Sequence, residues 1–184
     1  MTWIILGLLV AALVYAVILY NRLVTTRQMG EEAWSGIDVQ LKRRSDLIPN
    51  LVDSVKGYAA HERDVLQTVA AMRSAASALP ADDVAGRARA EGALAQALGR
   101  LMALAEAYPD LKASGNFLAL QSELSIVEND LQMARRYYNG AARNLNVLIQ
   151  SVPSNLIAGA FGFRERPFFE IADAGDRAVP QVSL

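Results

Sequence analysis

The apolar positions of this chain fall into two regimes. From Trp3 to Tyr20 every residue is apolar or glycine, and the first charged side chain is Arg22. A helix of that length rises about 27 Å, close to the roughly 30 Å hydrocarbon core of a bilayer. Trp3 at one end and Tyr15 and Tyr20 toward the other are placed as interfacial aromatic anchors would be. A cleaved leader needs a basic start, a shorter apolar run and a small-x-small cleavage site. No Lys or Arg precedes this run, and Tyr20-Asn21-Arg22-Leu23 offers no such site. The expectation is an uncleaved membrane anchor through residues 3–20.

Beyond the anchor, apolar residues recur at intervals of three and four and nothing alternates as a strand would. Ala33, Trp34, Ile37, Leu41 and Ile48 share one face, predicting a helix continuous with the anchor. Pro49 lacks an amide donor and disfavours helix just before it, which predicts a kink or a tight turn near Ile48-Pro49-Asn50. Leu51, Val55, Tyr58, Val65, Val69 and Met72 keep the rhythm, with Glu62 as a polar interruption. Ala78-Leu79-Pro80 predicts a stop, and Asp82 and Asp83 a new helix start. That helix extends to about Tyr108, with Leu94, Leu98, Leu101 and Ala105 on one face and Pro109 as its end. A connector over Lys112–Asn116 follows, with Ser114 or Asn116 as the cap. Phe117, Leu120, Leu124, Val127, Leu131, Ala134, Tyr138, Ala141, Leu145, Leu148 and Val152 then hold a heptad-like seam up to Pro153.

The pattern predicts an all-α chain: an N-terminal transmembrane helix, then an elongated antiparallel bundle of about four helices, then an irregular Phe-rich C-terminal tail. The divisions fall at 1–28 for the anchor and juxtamembrane segment, 29–153 for the bundle and 154–184 for the tail. Four of the five phenylalanines, Phe161, Phe163, Phe168 and Phe169, lie in that tail. They either close bundle grooves or form an exposed patch for a partner or a membrane surface.

Hydrophobic residues make up 53% of the 184 residues, a surplus that the anchor explains. Net charge is -1, which argues against nucleic acid as a partner. The absence of cysteine fits a reducing compartment. Arg22 and Arg27, then Lys42, Arg43 and Arg44, follow the anchor, and the positive-inside rule places the N-terminus outside and the domain in the cytoplasm.

Catalytic constellations are not evident. His61 is the one histidine, and Val65 stands where a zinc-binding helix would need a second. Glu123, Glu128 and Asp130 are not spaced as one metal-binding face, and no nucleophile elbow or phosphate loop is present. No metal, cofactor or small-molecule substrate is expected. The polar block Gln40, Lys42, Arg43, Arg44 and Asp46, with Asn50 and Asp53 beyond the proline, is either a solvated face or a binding surface. Asn139 and Asn146 are candidates for a polar layer that fixes register. Gly7 and Ala11 offer a small-xxx-small face for self-association, hence a homo-oligomer.

Several ordered blocks resemble the LemA family of bacterial membrane proteins. They are Tyr20-Asn21-Arg22-Leu23-Val24, the run from Ile37 to Val52, Val55-Lys56-Gly57-Tyr58-Ala59 with His61-Glu62, and Glu106 to Ala113. Phe117, Leu120 to Leu124, Glu128, Ala134-Arg135, Tyr138-Asn139 and Pro153 to Ala158 continue the match. Leu145 and Val152 depart from it, standing where the family more often has aromatics. The resemblance implies an outward N-terminus, one membrane helix and a cytoplasmic helical domain at the bacterial inner membrane. It implies no accepted catalytic activity; ideas about the family concern membrane-protein handling and envelope stress. The leading expectation is a membrane-anchored scaffold or adaptor whose partners are membrane or membrane-associated proteins. The alternative is a lipid- or peptide-binding, membrane-remodelling module using the basic juxtamembrane cluster and the tail, with Phe161, Phe163, Phe168 and Phe169 as its contacts. A hydrolase relying on His61 ranks last.

Overall fold

A single helix carries the apolar run onward into the polar block. In the computed structural model, which describes residues 1–59 and 61–170, α1 spans Thr2–Lys56. It is followed by α2 (Arg63–Ser77), α3 (Val84–Glu106), the short α4 (Pro109–Lys112), α5 (Gly115–Gln150) and α6 (Ser154–Ala160). No strand occurs among the described residues. The chain is all-α, as expected.

α1 does not stop or restart at Pro49, which is carried inside the helix rather than in a tight turn. The reason lies in the carbonyl that proline leaves idle. Residue 49 has no N–H to give to the carbonyl of Ser45, one helical turn back. Arg73 of α2 supplies the missing donor: its Nε donates to the Ser45 carbonyl at 2.7 Å. The proline ring itself faces solvent. The break comes instead at Gly57, where helical bonding gives way to turns through Tyr58 and Ala59 to Glu62. Glycine loses the most conformational freedom in a helix, which makes this the place for α1 to end.

This arrangement makes a coupled prediction. Arg73→Leu leaves the Ser45 carbonyl without its donor and is expected to cost about 1–3 kcal/mol. Pro49→Ala restores the backbone donor, so the same Arg73 change in a Pro49→Ala background should cost less than half as much. Denaturant unfolding of the four proteins measures the coupling. Equal costs in the two backgrounds would show that the bond is incidental.

α3 begins where the two aspartates foretold. Asp83 is its N-cap, its side chain accepting from Gly86 N at 2.8 Å. Gly86 is buried, and a Cβ there would overlap the Asp83 carboxylate. The helix ends at Glu106, short of Tyr108, because Pro109 opens α4 as its first residue rather than closing α3. Ser114, one of the two expected caps, lends its carbonyl to Leu118 N at 3.0 Å ahead of α5.

Two compact units result, and α1 and α5 contribute to each. One is built on Met1–Ile37 and Met133–Phe168, the other chiefly on Asp38–Gln132. In the second unit, α2 packs on α3. Ile48, Leu51 and Val55 of α1, Leu66 and Val69 of α2, Leu94, Leu98 and Leu101 of α3, Leu111 of α4 and Phe117 and Leu124 of α5 form one core. Burying each such Leu or Phe contributes roughly 1.5–3 kcal/mol. In the first unit, Leu23, Leu145 and Ala158 pack with Leu148, Ile149, Ile157 and Phe163. Nearly all of α1 before Leu19 is exposed, with Trp3 83% and Leu13 67% accessible. That stretch is long and apolar enough to cross a membrane.

Candidate functional site

The run Lys42-Arg43-Arg44 is one helical stretch, so its three cations point in different directions. Arg44 turns inward and is fully buried. Its Nη2 donates to Glu91 of α3, itself 6% exposed, and its Nη1 to Glu128 of α5 at 2.8 Å. Burial alone disfavours the guanidinium charge, yet the Glu128 and Glu91 carboxylates outweigh it and hold the group above its ordinary value. Expectation and structure diverge here: a residue of the presumed solvated face is the most buried charge in its unit.

Arg43 stays at the surface. It bridges Glu123 at 2.7 Å and Asp130 at 3.4 Å, and also reaches Gln40 at 3.4 Å. Glu123 and Asp130 therefore do share a face of α5, being two turns apart, while Glu128 faces Arg44. Their carboxylates are occupied by arginines, and among the described residues no group of three or more ligating side chains is arranged to hold a metal ion. His61 is exposed.

Lys42 faces a cleft of about 320 Å³ lined also by Asp38, Ser45 and Asp46 of α1, Arg73 and Ser77 of α2, and Arg87 and Glu91 of α3. Arg87 pairs with Asp38, and Glu91 with Arg44. Lys42 and Asp46 carry no ion pair among the described residues, so the cleft presents them with the Ser45 and Ser77 hydroxyls, which are 3.4 Å apart. Asp53 opens on a separate groove with Lys56, Arg63 and Gln67, and Asn50 is exposed. The structure thus brings Lys42 and Asp46 together, sets Arg43 and Gln40 against α5, and takes Arg44 out of reach.

Reasoning from sequence missed Glu91, Asp38, Arg73 and Arg87. A signal existed for Glu91 alone. It interrupts the apolar face that runs from Ala88 to Leu94 and Leu98, where a buried carboxylate requires a cation.

The Phe-rich segment divides as well. Its first residues, Ser154–Ala160, form α6, with Ser154 and Ala158 inward. After Phe163 the chain runs extended along α5. Gln150 Nε2 donates to Glu165, Tyr138 Oη donates to the Pro167 carbonyl, and Asn146 grips Arg166 twice. The Asn146 Nδ2 donates to the Arg166 carbonyl at 2.9 Å while its Oδ1 accepts from Arg166 N at 2.8 Å. The Arg166 side chain lies over buried Gly30, where a Cβ would approach it to 3.2 Å, and pairs with Glu31 at 3.0 Å. Asn146 thus serves as a clamp on the chain's return. Burial raises Tyr138 above the usual range for a phenol, with the Arg166 charge opposing.

Phe169 is fully buried. Phe163 is partly buried and packs against the Leu23 and Leu145 cluster. Phe161 and Phe168 remain 64% and 41% exposed. The rings of the segment therefore divide, Phe169 and Phe163 turning inward and Phe161 and Phe168 staying at the surface.

A model of the LemA family matches residues 33–184. The magnetosome protein MamQ of Magnetospirillum gryphiswaldense is 27% identical, over 95% of this chain and 74% of its own length. Magnetosome protein MamQ 2 of Paramagnetospirillum magneticum is 29% identical, over 89% of this chain and 70% of its own length. Protein LemA of Metamycoplasma hominis is 29% identical, over 75% of this chain and 63% of its own length.

Proposed function

The chain belongs to the LemA family, and from that footing we propose that it is a single-pass, membrane-anchored helical scaffold or adaptor. The observation that carries this is the continuity of α1. The apolar run passes without a break through buried Leu19 to Leu23, which is buried in a core with Leu145 and Ala158. An anchor continuous with a packed core holds its domain at a fixed place on the bilayer, which suits organising other proteins. Arg22 and Arg27 just past the run support placing the domain in the cytoplasm of a bacterial cell. A non-catalytic role is supported by the fate of the charged block, whose arginines are engaged in structural pairs. The cleft around Lys42 and Asp46 is the surface we assign to a protein partner.

Two measurements test this. The chain has no cysteine, so Ser77→Cys gives a unique, exposed label on the second unit. It should resist a membrane-impermeant maleimide in intact cells and react after lysis; labelling in intact cells reverses the orientation. A photo-crosslinking residue at Lys42 in the full chain should give discrete membrane-protein adducts, lost when Asp46 is changed to Lys. Adducts indifferent to Asp46, or none at native expression, would remove the adaptor reading.

A further inference from the structure

The exposed aromatic at the foot of the anchor is the feature that the scaffold reading leaves unused. Tyr20, the last residue of the apolar run, packs on Phe161 with ring centroids 4.7 Å apart and the rings tilted by 57°, and meets Phe163 at 5.9 Å. Phe163 in turn lies under the Arg27 guanidinium at 5.4 Å. The C-terminal end of α6 and the residues just after it are therefore fixed beside the point where α1 changes from apolar to charged.

Two features of that neighbourhood point to lipid rather than water. From Asn144 to Phe163 there is no charged side chain, and charge resumes only at Arg164-Glu165-Arg166. This repeats the pattern of α1, which is uncharged up to Arg22. The two uncharged stretches meet at the Tyr20–Phe161 pair, and the arginines that end them mark one boundary. In addition, α6 has two unlike faces. Ser154 and Ala158 are buried, whereas Leu156 is 68% exposed, and the flanking Val152 and Phe161 are 80% and 64% exposed. Leu156 lies on the face of α6 turned away from Ser154 and Ala158, and exposed apolar side chains flank the helix at both ends, Val152 before Pro153 and Phe161 after Ala160.

We infer that Val152, Leu156 and Phe161 enter the interfacial layer of the same bilayer that α1 crosses, making α6 a second, monotopic membrane contact. This rests on the anchor reading: if Trp3–Tyr20 spans, Tyr20 lies at headgroup level, and a ring 4.7 Å from it lies there too. Aromatic and aliphatic side chains on an uncharged helix edge are the residues that partition into that layer. Arg22, Arg27 and Arg164 would sit among the headgroups. The occupant of the patch is thus the lipid surface, and the two contacts together would fix the tilt of the first unit.

The experiment uses the full chain, reconstituted in vesicles of phosphatidylcholine and phosphatidylglycerol, with one environment-sensitive fluorophore per protein. Leu13→Cys reports the anchor, Leu156→Cys the edge of α6, and Ser77→Cys the second unit. Because Leu156 is exposed, its labelling leaves the core intact, which matching helical circular dichroism will verify. Lipids carrying a nitroxide deep or shallow in the acyl chain should quench Leu13 at depth, Leu156 at the shallow position several-fold more than at the deep one, and Ser77 at neither. Quenching at Leu13 with water-like emission at Leu156 overturns the inference and leaves the anchor standing. A dry but unquenched Leu156 means that protein covers the edge, which also overturns it. No quenching at Leu13 removes the anchor reading itself.

Discussion

Replacing Arg44 with alanine is expected to destabilise the chain by about 3–5 kcal/mol, the usual consequence of removing one partner from a buried ion pair. The size follows from what stays behind. Glu91 is 6% exposed and faces a helical core of Leu94, Leu98 and Leu101, so its carboxylate would be left charged and unpaired or forced to take up a proton. Glu128 contributes less to the loss, because its side chain is 42% exposed and water can replace the guanidinium. Glu128→Gln should therefore stay within about 1 kcal/mol of the wild type.

The controls separate pairing from packing. Arg44→Lys keeps the charge but offers a compact ammonium in place of a planar fork that reaches two carboxylates, so it should recover only part of the loss. Arg44→Met combined with Glu91→Leu removes both charges and should regain most of it, since apolar replacement of a whole buried pair is often close to neutral. Denaturant unfolding of the detergent-solubilised full chain, followed by circular dichroism, reads all four. If Arg44→Ala stays within 1 kcal/mol of wild type, or the double variant is no better than the single, the buried pair is not what holds α1 to α3 and α5.

Arg44 also marks where sequence stops being sufficient. Helices, caps and the apolar run follow from local chemistry: Asp83 needs only its own N–H partners, and the seam of α5 is visible as a period. Which of three adjacent cations turns inward depends on Glu91 and Glu128, 47 and 84 residues away in the chain. The Pro49 case has the same form. A proline's missing donor is legible, but the Arg73 that supplies it lies 28 residues later and carries no motif. The candidate cleft was legible only in part for this reason. Lys42 and Asp46 stood out as charges, whereas Arg73, Arg87 and Glu91 reach it from other helices. In the Phe-rich segment composition gave the residues but not their division, which depends on α6 turning Ser154 and Ala158 inward while Leu156 and Phe161 face out.

Asn146 supplies the second large effect, and it is local. In Asn146→Ala the Arg166 N–H and carbonyl lose both partners at once, although neither is free to leave its place beside α5 without also giving up the Tyr138–Pro167 bond and the Arg166–Glu31 pair. Losing the two bonds should cost about 1–3 kcal/mol, which raises the open population of the segment about 5- to 150-fold. Trypsin reads this directly at the Arg164–Glu165 bond of the clamped stretch, the Arg166–Pro167 bond being closed to it by the proline. When opening and closing are fast relative to cleavage, the rate follows the open population. Cleavage after Arg164 should accelerate by that factor while cleavage after Lys112, in the other unit, keeps its wild-type rate. Tyr138→Phe removes one bond rather than two and should give a smaller acceleration at the same site. Asn146→Asp distinguishes the two halves of the clamp, keeping an acceptor for Arg166 N while losing the donor to its carbonyl, and so should fall between wild type and alanine. Uniform acceleration at all sites would mean that Asn146 supports the whole fold, and no acceleration would mean that the returning segment is held by the packing of Phe163 on Leu23 and Leu145.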